Sequence, residues 1–206
     1  ASDNPDDFQV ENTLLLADES NLKLELQLHY HSYPNSGGAF KVQIFSPYIF
    51  LNLSQLPVTI KTRPWAGYAK MVAGQESHDD DYDASEQRKP FLVSRIGESN
   101  NRFLIRSRDS SWSKPLSFDV IGSEVGVVIP SSSGDRELHL GLDIQDGLSK
   151  FKLSKVVKLA PRYLIHNKLS HAVLIAESMG GDPVRIGADE RVPLHWFHVA
   201  SNKHAT

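Results

Sequence analysis

Apolar residues recur at every second position along most of this chain. Leu22, Leu24, Leu26, Leu28 and Tyr30 alternate with Lys23, Glu25, Gln27 and His29, while Leu138, Leu140, Leu142 and Ile144 alternate with His139, Gly141 and Asp143. Successive side chains of an extended backbone point to opposite faces, so a period of two predicts strands with one buried face. Further strands are predicted over Phe40–Phe45, Tyr48–Leu51, Val58–Thr62, Phe91–Ile96, Phe103–Arg108, Leu116–Val120, Glu124–Ile129, Lys152–Leu159, Arg162–His166, Val173–Ser178 and Leu194–Val199. Gly, Pro, Asn, Ser and Asp punctuate them, as in P-N-S-G-G at 34–38 and P-S-S-S-G-D at 130–135. No window of helical length carries a 3.6-residue apolar stripe; the nearest, Ala66–Ala73, is short and bracketed by Gly67 and Gly74. Many short strands with regular turn signals predict an all-β sandwich rather than a βαβ protein. Gln75–Lys89 has almost no aliphatic residue and is predicted to be a solvated loop.

The pattern is duplicated. Tyr48-Ile49-Phe50-Leu51-Asn52 matches Tyr163-Leu164-Ile165-His166-Asn167, 115 positions on, and Pro57-Val58 and Ile60 match Ala172-Val173 and Ile175. Upstream, after a gap of one residue, Phe45-Ser46-Pro47 matches Leu159-Ala160-Pro161, and Leu22–Leu28 matches Leu138–Ile144. A repeat of this length is domain-sized, unlike a solenoid unit of about 20–50 residues. It predicts tandem, repeat-related antiparallel β-sandwich modules, the first over 8–117 and the second, incomplete at its end, over 118–206. With polar, unpunctuated ends, the chain reads as a segment cut from something longer, one complete period with parts of its neighbours.

Asparagine is a poor strand residue, because its amide competes for backbone hydrogen bonds. It offers two donors and an acceptor oxygen with two lone pairs. At a strand end these can satisfy neighbouring backbone groups that would cost roughly 1–3 kcal/mol each if buried unpaired. Asn52 and Asn167 are therefore read either as turn-fixing residues or as residues whose turn shapes a peptide-binding edge. Tyr48 and Tyr163, at the start of the same runs, join them as candidate peptide-binding or site-organising residues.

Composition narrows the chemistry. The formal charge of −3 and a pI near 6.3 leave no electrostatic footprint for nucleic acid. With no cysteine there is no disulfide framework or thiolate metal site, which favours a reducing compartment. His29-x-His31 puts two imidazoles on one strand face without a third ligand at a telling spacing, and His195 and His198 fall on opposite faces of a strand. Asp79, Asp81 and Asp83 alternate like a calcium loop, but Ala84 and Pro90 stand where Gly and Glu are needed. No metal or cofactor is expected, and no nucleophile-elbow, P-loop or dinucleotide motif is present. Catalysis is not indicated; a hydrolase would need Ser, His and Asp joined in one pocket. Asn52-Leu53-Ser54 is formally a glycosylation sequon without expected significance. Trp65, Trp112 and Trp196 allow an alternative, a carbohydrate- or lipid-head-group-binding sandwich, against the commoner reading of core anchors.

F-S-P-Y-I-F-L-N-L-S-Q-L-P-V and L-A-P-R-Y-L-I-H-N-K-L-S-H-A-V resemble the repeat signature of the adaptor-binding domain of vacuolar protein sorting-associated protein 13, a bridge-like lipid transfer protein. G-V-V-I-P…L-H-L-G-L-D-I…F-K-L-S-K-V-V-K-L-A-P-R-Y resembles the approach to that signature, so the likeness runs from about Leu22 to Trp196. The resemblance implies several β-rich repeats, each with such an asparagine, carried here by Asn52 and Asn167. It implies a non-enzymatic module that binds short Pro-x-Pro motifs of organelle-specific membrane adaptors. It further implies a cytoplasmic location, peripheral at membrane contact sites of an organelle set by the adaptor, with membrane contact only through adaptors and no nucleic acid partner. The second unit departs in having Ala172 where the first has Pro57. A proline-containing peptide suits a sheet edge, since it is pre-set to extended geometry and its missing N–H can face away from the ladder.

Overall fold

A computed structural model describes residues 12–17, 19, 23–62, 81–85, 87–94, 102–118, 125–177 and 182–199. Among the described residues there are seventeen strands and a single helical element, a three-residue 3₁₀ turn at Ser149–Phe151. The protein is all-β, with several antiparallel sheets.

Strands β1 (Thr13–Ala17), β2 (Lys23–Ser32) and β3 (Phe40–Phe45) form one antiparallel sheet. A second sheet runs in the order β10 (Val125–Pro130), β11 (Arg136–Asp146), β12 (Lys155–Pro161), β4 (Tyr48–Asn52), β7 (Pro90–Val93), with β17 (Trp196–His198) on the start of β11. A third has the order β6 (Asp81–Asp83), β5 (Val58–Lys61), β8 (Arg102–Ser107), β9 (Leu116–Ser117). Two ladders complete the set: β13 (Tyr163–His166) with β16 (Arg191–Leu194), and β14 (Val173–Ile175) with β15 (Val184–Ile186).

The core lies between the second and third sheets. Inward residues of β11 (Leu138, Leu140, Leu142, Ile144) and Val157 and Leu159 of β12 cluster with Phe50, Val58, Ile60, Phe103 and Ile105, all of them buried. Each such side chain contributes about 1.5–3 kcal/mol by leaving water, which is what the alternation of β11 is for. Phe118 stacks between Tyr48 and Phe103, with centroid distances of 4.4 and 4.1 Å.

The duplication is visible in the pairing. The β4–β7 ladder recurs as β13–β16, and β5–β6 recurs as β14–β15. The turn leading into β7 has Arg88 at φ 61°, and that into β16 has Asp189 at φ 53°. Sheet β1-β2-β3 recurs as β10-β11-β12, and Glu25 N–H donates to Ser94 Oγ as His139 N–H donates to the His195 carbonyl. The registers Leu28↔Ile44 and Leu142↔Leu159 match Leu24–Tyr30 with Leu138–Ile144 and remove the gap before Tyr48. The sequence match of Leu22–Leu28 with that strand was two residues out, a slip that keeps every side chain on its face.

One pairing joins the two units. β12 lies parallel to β4, Lys155 opposite Tyr48 and Leu159 opposite Asn52. Parallel neighbours need a long crossover, and here the crossover contains the whole third sheet. The sandwich around Phe50 is thus closed by strands from the second unit.

Three expectations are revised. Asp81–Asp83, inside the stretch expected to be a solvated loop, is a strand paired to β5, because Tyr82 supplies a buried ring edge-on to Phe91 at 5.4 Å. Leu194–Val199 is broken at His195, and Thr13–Ala17 and Val184–Ile186 are strands without having been predicted. The expectations for Ala66–Ala73 and Trp65, and for most of the acidic stretch before Asp81, lie outside the described residues.

Candidate functional site

Asn52 closes β4 and is 1% exposed. Its Nδ2 donates to the Leu56 carbonyl at 2.9 Å and to the Ala84 carbonyl at 2.8 Å. Its Oδ1 accepts from Ser54 N–H at 3.0 Å and from Ser54 Oγ at 2.7 Å. Two donors and two lone pairs are therefore all engaged within the protein. The amide turns the chain back after β4 and holds that turn to the strand leaving β6. Asn52's own carbonyl accepts from Arg88 N–H at 2.8 Å, tying in the approach to β7.

Asn167 repeats the arrangement at the end of β13. Its Nδ2 donates to the carbonyls of His171 (2.8 Å), Gly187 (2.7 Å) and, more weakly, Ile186 (3.2 Å), and its Oδ1 accepts from Leu169 N–H at 3.0 Å. In both units the acceptors lie four residues on and at the end of the β6 or β15 strand. Here the surroundings are more open, with Leu169 and His171 exposed.

The tyrosines differ. Tyr48 is buried against Phe118, so its ring meets the core. Tyr163 is half exposed and sits edge-on to Phe197 at 5.3 Å, with the Arg162 guanidinium 5.5 Å from its ring.

Beside the Asn52 turn a cleft of about 210 Å³ opens between β6 and β7, lined by Phe50, Asn52, Asp83, Ala84, Lys89, Pro90 and Phe91. Its walls are mostly apolar, with a carboxylate and an ammonium at the mouth. β7 is an end strand of its sheet, so among the described residues its outer edge has no ladder partner. Gln87 stiffens the rim: its Oε1 accepts from Gln55 N–H at 2.8 Å and its Nε2 donates to the Leu56 carbonyl at 2.8 Å. Gln55 has φ 64°, a left-handed conformation held by these bonds.

Sequence reasoning passed over Gln87, Ala84 and Ser54. The only signal was Asn52-Leu53-Ser54, read as a sequon; in the fold it is a side-chain-capped turn. His195 was also passed over as a structural link. Its Nε2 donates to the Ser54 carbonyl at 2.6 Å, joining the second unit to the Asn52 turn. A carbonyl only accepts, so Nε2 carries the proton. Burial holds the imidazole below its ordinary range, with the bond to Ser54 opposing.

His198 does not share this environment: its backbone N–H and ring Nδ1 meet Glu177 Oε2 at 3.0 and 2.9 Å. The His198 N–H is the main cause holding the Glu177 carboxyl below its usual range. His29 and His31 are exposed on β2, and no group of three His, Asp or Glu side chains able to hold a metal occurs among the described residues. Trp112 lies under the Arg106 guanidinium at 4.4 Å, and Trp196 packs on the core; neither pairs with the other as a sugar platform. No helix among the described residues is long and apolar enough to cross a membrane.

Comparison with known proteins gives a concordant result. The family model described as "Vacuolar-sorting associated protein 13, adaptor binding domain" matches residues 1–206. The intermembrane lipid transfer protein VPS13 of Chaetomium thermophilum is 40% identical over 94% of this chain. Vps13E of Dictyostelium discoideum is 30% identical over 52%, and VPS13A of Mus musculus is 26% identical over 87%. The chain spans 6%, 3% and 5% of those relatives, respectively.

Proposed function

Since the chain belongs to the adaptor-binding domain family of vacuolar-sorting associated protein 13, we propose that it is a non-catalytic module that recruits a long lipid transfer protein by binding membrane adaptors. In this reading the ligands are short Pro-x-Pro segments of organelle-specific adaptors. The module then works at the cytoplasmic face of membrane contact sites, touching membranes only through those adaptors. The units 8–117 and 118–206 act as repeats of one module, and Asn52 and Asn167 organise their binding edges.

One observation carries the reading: the apolar cleft beside the Asn52 turn, lined by residues of β7, whose outer edge has no ladder partner among the described residues. Phe50, Ala84, Pro90 and Phe91 offer a slot for a proline ring. The peptide backbone adds alongside β7, with proline's missing N–H turned away from the ladder. Asn52 takes no bond from the ligand, because its amide is saturated; it fixes the slot's shape. Little ordering is then needed on either side, which is where such weak peptide interfaces gain affinity.

The test is a fluorescence titration with a labelled Pro-x-Pro peptide and an Ala-x-Ala control. Phe91→Ala trims one wall of the slot and is expected to weaken binding about tenfold, roughly 1.4 kcal/mol. Equal affinity for both peptides, or a folded Phe91→Ala protein that binds as the parent does, overturns the assignment.

A further inference from the structure

The turn that follows Asn52 is held from two sides. On one side lies the cleft, whose rim Asn52 ties down through the Leu56 and Ala84 carbonyls. On the other lie strands from much later in the chain. Leu53 N–H donates to the Leu159 carbonyl of β12 at 2.7 Å, and His195 Nε2, at the junction of β16 and β17, donates to the Ser54 carbonyl at 2.6 Å.

The Ser54 carbonyl and the Gln55 N–H belong to one trans peptide unit, so they point in opposite directions. His195 grips the first, and Gln87 Oε1 grips the second at 2.8 Å. Together the two bonds fix the tilt of that plane and leave Gln55 at φ 64°, a conformation that side chains other than glycine adopt at a cost. Turning the plane over would carry Gln55 to negative φ and relieve the strain, but it would point the N–H away from Gln87. Gln87 lies between Ala84 and Lys89, on the segment joining the two walls of the cleft, and its Nε2 also holds the Leu56 carbonyl.

We propose, on the peptide reading of this cleft, that His195 is a positioning residue for it: by holding the Ser54–Gln55 peptide plane in its strained orientation, His195 keeps Gln87 anchored and the proline slot in shape. His195 does not touch the ligand. A slot lined by residues between Phe50 and Phe91 thus depends on a side chain 141 positions beyond Ser54. The gain is preorganisation, since a rim already fixed loses little freedom when the peptide docks.

The test compares His195→Leu, which cannot donate, with His195→Gln, whose amide can replace the Nε2–H. Affinity for the labelled Pro-x-Pro peptide is expected to fall about fivefold in His195→Leu, the equivalent of one net hydrogen bond, and to stay at the parent value in His195→Gln. Amide exchange followed by NMR without peptide is expected to quicken in His195→Leu more at Gln55 than at Leu142, which is buried on β11. A folded His195→Leu protein that binds as the parent does overturns the proposal and leaves the peptide reading standing. So does a His195→Gln protein as weak as His195→Leu, or exchange that quickens no more at Gln55 than at Leu142. A parent that binds Pro-x-Pro no better than Ala-x-Ala overturns both.

Discussion

Replacing Asn52 by alanine removes four hydrogen bonds at once, but the four groups left behind are not equivalent. The Leu56 carbonyl keeps Gln87 Nε2 at 2.8 Å, and Ser54 Oγ can turn to that carbonyl, which it already approaches at 3.5 Å. Ser54 N–H and the Ala84 carbonyl have no such substitute, and both residues are buried, at 0% and 4% exposure. Two orphaned buried backbone groups at roughly 1–3 kcal/mol each give a loss of about 2–6 kcal/mol. At Asn167 the bonded groups of Leu169 and His171 belong to exposed residues, so water can replace part of what is lost, and about 1–2 kcal/mol is expected. The measurement is urea unfolding of parent, Asn52→Ala and Asn167→Ala, comparing midpoints at equal slope. A domain of ordinary stability has about 5–15 kcal/mol in total, so the Asn52 variant is strongly weakened and the Asn167 variant modestly. Asn52→Asp is expected to do no better than alanine, because a carboxylate accepts from Ser54 but repels the two carbonyls. An Asn52→Ala midpoint equal to the parent's, or a larger loss at Asn167, would refute the reasoning.

Two further outcomes follow from the same geometry. His195 is held below its ordinary range by burial. As pH falls below about 6.5 the unfolded chain takes up a proton first, so stability declines until the folded imidazole also titrates; His195→Gln is expected to flatten that part of the unfolding profile. Gly147 and Gly126 contrast: a Cβ at Gly147 would run into the Phe151 carbonyl oxygen, while the atoms nearest one at Gly126 belong to the Arg162 guanidinium. Backbone cannot yield as an exposed arginine can, so thermal unfolding should show Gly147→Ala clearly destabilised and Gly126→Ala nearly unchanged.

Legibility tracked distance along the chain. β2 and β11 were readable because alternation between two faces is a property of neighbouring residues. β1 was missed because T-L-L-L-A puts leucines on both faces, and β6 because one tyrosine among aspartates is too small an apolar signal. The break at His195 was invisible because its cause is the Ser54 carbonyl, 141 residues away.

By itself the sequence determined the all-β class, the repeat and the two asparagines that end equivalent strands, since all three rest on local periodicity and spacing. That β12 lies parallel to β4, and so closes the sandwich around Phe50, was settled by contacts formed in three dimensions. The choice of a parallel partner depends on which uncovered edge and apolar face meet in space, and no window of sequence contains both. The same distant contacts decided the state of Asn52, whose amide is filled by Ala84 across the fold as well as by its own turn.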